Sequence, residues 1–132
     1  MHIEHLAIWA KDLEAMRSFY MKYFGATSND CYHNPTKQFQ SYFLSFPKGQ
    51  VSTGCRLELM QKPSIPDNLN AGEATGITHF AITVGSEAGV NELTEKLRSD
   101  GFSIVGEPRW TGDGYYESVV LDPEGNRVEI IA

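Results

Sequence analysis

Six residues near the start of the chain return later in it. Ile3-Glu4-His5-Leu6-Ala7-Ile8 matches Ile77-Thr78-His79-Phe80-Ala81-Ile82, with the shared pattern Ile-x-His-apolar-Ala-Ile. Further on, Arg56-Leu57-Glu58-Leu59-Met60 matches Arg127-Val128-Glu129-Ile130-Ile131, and Pro47-Lys48-Gly49 echoes Pro123-Glu124-Gly125. The offset drifts from 74 to 71, as insertions in surface loops would make it. A repeat of this length means one structural unit used twice. At 132 residues neither copy is large enough to bury a stable core alone, so the two halves are expected to share one domain. Module 1 covers about 1–61, a linker 62–76 and module 2 about 77–132.

The two copies run through the same elements. A short strand (Ile3–Trp9, Ile77–Val84) precedes a helix in each. The first helix starts after Asp12, carries Leu13, Met16, Tyr20 and Phe24 along one stripe, and stops at Gly25. The second starts near Ser86, carries Val90, Leu93 and Leu97, and stops at Gly101. Three strand-like runs follow in each module: about 27–33, 40–46 and 54–61, then about 103–109, 115–122 and 127–132. Asp122-Pro123-Glu124-Gly125 has the chemistry of a hairpin turn. The predicted fold class is therefore α+β: two tandem βαβββ modules with curved mixed sheets around a shared site. The link 62–76, with two prolines and two glycines, reads as a loop, either a plain connection or a flap.

Side chains alternate faces along a strand. Leu6 and Ile8 then oppose His5 and Ala7, and Phe80 and Ile82 oppose His79 and Ala81. Leu57 and Leu59 oppose Glu58, and Val128 and Ile130 oppose Glu129. The apolar face should cover the helix, and the other face carries a His or a Glu at the matching place in four strands. A lone strand His or Glu has an ordinary structural explanation, but the repeat brings two of each toward a pseudo-twofold axis. Carboxylates buried together must neutralise, pair or bind a cation. One divalent metal ion held by His5, Glu58, His79 and Glu129 satisfies all four.

Composition narrows the partners. A net charge of −6, with scattered Lys and Arg, argues against nucleic acid. No apolar run approaches membrane-spanning length and the first residues already read as strand, so a cytoplasmic protein is expected. Cys31 and Cys55 read as reduced, half-buried thiols rather than a disulfide or metal ligands.

Together these residues resemble the vicinal oxygen chelate superfamily, which includes glyoxalase I, bleomycin resistance proteins and extradiol dioxygenases. The first-strand pattern carries the resemblance, with Phe19-Tyr20-x-x-x-Phe24-Gly25 and the tail Leu121-Asp122-Pro123-x-Gly125-Asn126-x-Val128-Glu129-Ile130. It covers the whole chain, and the tail is its most specific part. The order His, Glu, His, Glu is similar to that of glyoxalase I, whereas dioxygenase-like and fosfomycin-modifying members lack a carboxylate at the place of Glu58 and epimerases usually carry Gln there. The resemblance implies a metal-dependent lyase or isomerase moving a proton next to a carbonyl. Glu129 is the first candidate for the base and Glu58 the second, with zinc or nickel ahead of manganese, iron or cobalt. Four protein ligands in octahedral coordination leave two positions for water or paired substrate oxygens. No organic cofactor site is implied. A non-catalytic metal-assisted binder, an epimerase and a dioxygenase stay open as alternatives.

Two departures bear on the substrate. Where glyoxalase I enzymes usually grip glutathione with an Arg, this chain has Trp9. Where they carry Asn-Trp-Gly, it has Leu59-Met60-Gln61-Lys62-Pro63. The aromatic residues Trp9, Tyr42, Trp110, Tyr115 and Tyr116 are expected mostly in the core. His33 is expected at a strand end in solvent, and His2 at a frayed terminus. Arg56 and Arg127 flank the glutamates and face either substrate or neighbouring acids. A homodimer is expected, with modules paired within a chain or exchanged between two.

Overall fold

In both halves of the chain the order strand, helix, strands recurs, and the computed structural model describes it over residues 1–46, 54–66 and 75–132. Pro47-Lys48-Gly49 and most of the link between modules lie outside the described residues. Two compact units divide the chain, Met1–Asp67 and Asn68–Ala132. The fold is α+β and built from two tandem modules, as the repeat predicts.

In the first unit, β1 (His5–Trp9) leads into α1 (Leu13–Phe24), followed by β2 (Thr27–Ser28), β3 (Tyr32–Asn34), β4 (Phe39–Ser45) and β5 (Arg56–Gln61). The sheet order is β1-β5-β4-β2, with β3 also on β4. β1 runs parallel to β5, and β4 antiparallel to it. The helix forms where its caps allow. Asp12 accepts a hydrogen bond from the Ala15 amide at 2.9 Å, and Gly25 ends the helix at φ 63°, a left-handed conformation glycine tolerates. The predicted strand 27–33 is instead two short pieces. Asn29 causes the break, because its side-chain oxygen takes the Phe43 amide at 2.7 Å in place of a regular strand partner.

The second unit repeats the plan with β6 (His79–Thr83), α2 (Glu87–Ser99), β7 (Ile104–Trp110), β8 (Tyr116–Leu121) and β9 (Arg127–Ile131), in sheet order β6-β9-β8-β7. Ser86 caps α2 by accepting from the Gly89 amide. The turn before β9 is tied by Asp122, whose Oδ1 accepts from the amides of Glu124 and Asn126.

Each helix covers the apolar face of its own sheet. Leu13, Met16, Phe19 and Tyr20 are buried with Leu44, Leu57 and Leu59; Val90 and Leu97 are buried in the second unit, as are Val120, Val128 and Ile130. Full burial of such side chains contributes roughly 1.5–3 kcal/mol each. Thr94 of α2 joins that core by donating to the Val90 carbonyl and hydrogen-bonding Ser118, so no polar group is stranded. Among the expected aromatics, Tyr42 is buried, but Trp9, Trp110 and Tyr115 are exposed. Both cysteines are exposed rather than half-buried, since they lie just outside the strands' covered faces. Among the described residues no helix is long and apolar enough to cross a membrane.

The Tyr42 phenol donates to Glu14 Oε1 at 2.5 Å, tying sheet to helix, and this hydrogen bond, with burial behind it, pushes its pKa up from 10.0 to about 12. A folded pKa above the unfolded value means stability that is present below pH about 10 and lost as pH rises toward about 12. Alkaline titration followed by phenolate absorbance should show one tyrosine ionising last, and Tyr42→Phe should lose that step. Simultaneous ionisation of every tyrosine near the ordinary value would contradict the tie.

Candidate metal centre

The face of each sheet turned away from its helix carries the predicted donors. Along β1 His5, Ala7 and Trp9 are exposed while Leu6 and Ile8 are half-buried, and β6 repeats this with His79, Ala81 and Thr83 against Phe80 and Ile82. The registers agree as well. His5 pairs with Arg56 and Ala7 with Glu58; His79 pairs with Arg127 and Ala81 with Glu129. In both units the imidazole therefore sits diagonally across one strand gap from the carboxylate, with an alanine directly beside the glutamate.

His5 Nε2 lies 3.7 Å from Glu58 Oε2, and His79 Nε2 lies 3.3 Å from Glu129 Oε2. Two donors at about 2.1 Å from one ion stand about 3 Å apart at right angles and about 3.4 Å apart at the tetrahedral angle, so the His79–Glu129 pair has the spread of neighbouring ligands on a single cation and the His5–Glu58 pair is slightly wider. The structure brings the four predicted residues together as two pairs, one in each unit. Among the described residues no group of three or more His, Cys, Asp or Glu side chains forms a cage. Imidazole and carboxylate are donors that suit a divalent ion of the zinc or nickel type.

What lies behind each imidazole fixes its orientation. His5 Nδ1 donates to Glu4 Oε2 at 2.5 Å, and the other Glu4 oxygen accepts from Arg56. The bond from His5, with the Arg56 guanidinium beside it, holds the Glu4 carboxyl below its usual range. His79 Nδ1 instead meets Thr78 Oγ1 at 2.8 Å. In both cases Nδ1 is occupied and Nε2 is turned to the glutamate, the arrangement metal-binding histidines generally show. Arg56 also stacks over Phe43, 4.2 Å from its ring centroid, and Phe43 meets His5 edge-on. Arg127 is exposed.

Trp9 lies on the donor face beyond Ala7, edge-on to Phe39, with Tyr32 packed on the same ring. An open cavity of about 740 Å³ in the first unit has Gln40, Gln61 and His33 in its wall. Gln40 and Gln61 are register partners on the helix side of the sheet, so this cavity is away from the His5–Glu58 pair. The strand pattern did not single out Glu117 and Arg109, a buried carboxylate and its partner on the donor face of the second sheet. Alternation along 115–122 places Glu117 there, but only the register of β7 reveals its arginine.

A family model described as the Glyoxalase/Bleomycin resistance protein/Dioxygenase superfamily matches residues 2–130. A mutant of glyoxalase I from Zea mays is 27% identical with a TM-score of 0.79, over 98% of this chain and 44% of the maize chain. This chain thus spans less than half of that protein. The trypanothione-dependent glyoxalase I of Leishmania major is 23% identical with a TM-score of 0.75, over 99% of this chain and 86% of its own, a likeness of fold. An uncharacterized protein of Bacillus subtilis (strain 168), YqjT, is 24% identical over 136 residues, covering 98% of both chains.

Burial raises the pKa of Glu129 above its ordinary value; His79 and Arg109 oppose the shift, while Glu117 and Asp113 add to it. For a carboxyl raised on folding, stability is present below the unfolded pKa and lost as pH rises through the folded one. Ionised Glu129 is thus a cost at neutral pH when no metal ion faces it, since burial outweighs His79 and Arg109. In chelator-treated protein Glu129→Gln should melt higher than the native chain at neutral pH, with the gap closing in acid. A variant that melts lower at neutral pH would contradict this.

Proposed function

The chain belongs to the Glyoxalase/Bleomycin resistance protein/Dioxygenase superfamily, and on that premise we propose that it is a metal-dependent lyase or isomerase of the glyoxalase I kind. Its reaction is proton transfer next to a carbonyl of a small oxygenated substrate. His5, Glu58, His79 and Glu129 hold one divalent ion, zinc or nickel ahead of manganese, iron or cobalt, with both modules acting as one domain. The observation that carries this reading is the identical register of a His and a Glu on the donor faces of both units. When bound, the ion supplies Lewis acidity to a pair of substrate oxygens.

The remaining work falls to side chains. Glu129 takes the proton from the carbon next to the carbonyl and returns it to the neighbouring carbon. Glu58 is the second candidate for that role. Glu4 and Thr78 keep the two imidazoles turned with Nε2 outward. The indole of Trp9 and the ring of Phe39 form an aromatic wall, and the cation beside it is the flexible Lys62 ammonium, 5.2 Å over the indole, rather than the guanidinium fork that grips glutathione carboxylates, so the substrate is a compound other than a glutathione adduct. That wall also favours a second reading, a non-catalytic binder that keeps the ion to hold an apolar ligand. Free thiols at Cys31 and Cys55 accord with a cytoplasmic setting.

Protein purified without chelator or nickel resin should carry about one divalent ion per chain. His79→Ala and Glu129→Gln should each lower that content sharply, and unchanged content in both would sink the site. The loaded protein should turn over a member of a hydroxy-carbonyl panel and act poorly on the methylglyoxal–glutathione hemithioacetal. Binding across the panel without turnover would leave the binder reading, and efficient use of the glutathione adduct would overturn the substrate assignment.

We infer a homodimer, the commonest closed assembly. If the modules pair by exchange, mixing His5→Ala chains with Glu129→Gln chains should restore about a quarter of the metal sites, because half the dimers are mixed and half their sites are intact. Sedimentation as a monomer at micromolar concentration would refute the dimer. Full subunit exchange without restoration would place all four ligands on one chain.

A further inference from the structure

The donor face of the second sheet carries one more charged pair that the chemistry above does not use. Val119 is the register partner of Glu129, so Glu117, two residues back along β8, shares its face. Glu117 is only 7% exposed. A carboxylate so buried requires a partner, and Arg109 supplies it from directly across on β7, donating from Nη2 to Glu117 Oε1 at 3.1 Å.

β7 is shaped to bring that guanidinium there. Its pairing with β8 slips between Ile104 and Gly106 and again between Gly106 and Arg109. Such irregularities re-aim side chains. At Gly106 a Cβ would come 2.9 Å from Val119 Cγ2 and 3.2 Å from Arg109 Nη1, so the glycine leaves the space in which the guanidinium lies. A second hold comes from Nη1, which donates to the Glu107 carbonyl at 3.4 Å. The Arg109 side chain is nevertheless half exposed. Among the described residues two of its N–H groups are engaged, and the others remain on the donor face.

An ion pair half in water contributes little to stability, while burying Glu117 carries a desolvation cost. The arrangement makes more sense as a pre-organised fork, a guanidinium held rigid by one carboxylate and open to another. We propose that Arg109, positioned by Glu117, anchors a carboxylate of the substrate, which makes the substrate an organic acid with paired oxygens at its other end. This rests on the reading of His79 and Glu129 as cation ligands on the same face. Arg109 and Glu117 together are neutral, and Glu129 feels Glu117 and Asp113 as well as Arg109, so a planar monoanion suits the place better than a phosphate dianion.

Two probes separate the anchor from the cation site. Acetohydroxamate chelates through vicinal oxygens and is otherwise uncharged, and succinic monohydroxamate has the same chelating end plus a carboxylate. Calorimetric titration of the cobalt-loaded full chain should show the carboxylated probe binding about tenfold more tightly or better. The Arg109→Gln/Glu117→Gln double variant replaces the ion pair with an amide pair of similar shape. In it the ratio of the two dissociation constants should fall to about one, with melting curves confirming the fold. A ratio near one in the native chain, or one retained in the variant, overturns the anchor alone. Failure of both probes to bind the native chain overturns the cation site, and the anchor falls with it.

Discussion

In each unit the first strand lies parallel against the last, and apolar side chains on the far side of the donors hold that pairing. Leu57 and Leu59, or Val128 and Ile130, are sealed beneath the helix, and the strand cannot slip by one residue without turning them to water. The same slip would send Glu58 or Glu129 under the helix. The core thus places the polar groups, which need no stabilising force of their own. Ala7 and Ala81, beside the glutamates in register, are the smallest side chains that keep the strand while leaving the carboxylates uncovered.

On this common frame the units have diverged in charge. Behind His5 stand an ionised Glu4 and the Arg56 guanidinium, which itself lies over Phe43. Among the described residues a threonine hydroxyl stands behind His79, and Phe43 is replaced by Val119. The charge pair of the second unit lies instead across its sheet, at Arg109 and Glu117. One unit sets its guanidinium over an aromatic ring beside the imidazole, and the other sets one across the sheet against a buried carboxylate. A duplicated scaffold permits this because each sheet keeps its own apolar face while its other face varies.

Much of this could be read beforehand. Asp12, Gly25 and Ser86 mark helix ends because caps depend on local backbone groups, and strict alternation around His5 and Glu58 needs only the strand period. What escaped depends on contacts distant in sequence. Asn29 breaks a strand because its side chain reaches the Phe43 amide. Thr94 is buried because Ser118 waits across the helix–sheet interface. Arg109 faces Glu117 because β7 slips at Gly106, and no periodicity in 103–109 announces that slip. The four donors were visible one by one, and the repeat made them a set.

The parallel pairing also orders events as the chain folds. Helices and neighbouring hairpins, such as β8 with β9, join residues close in sequence and need little loop closure. β1 must find β5, and β6 must find β9, across nearly the whole length of a unit. Closure of so long a loop comes late. Imidazole and carboxylate are therefore kept apart until the rest of the unit is in place. The finished pair appears together with the sheet that positions it.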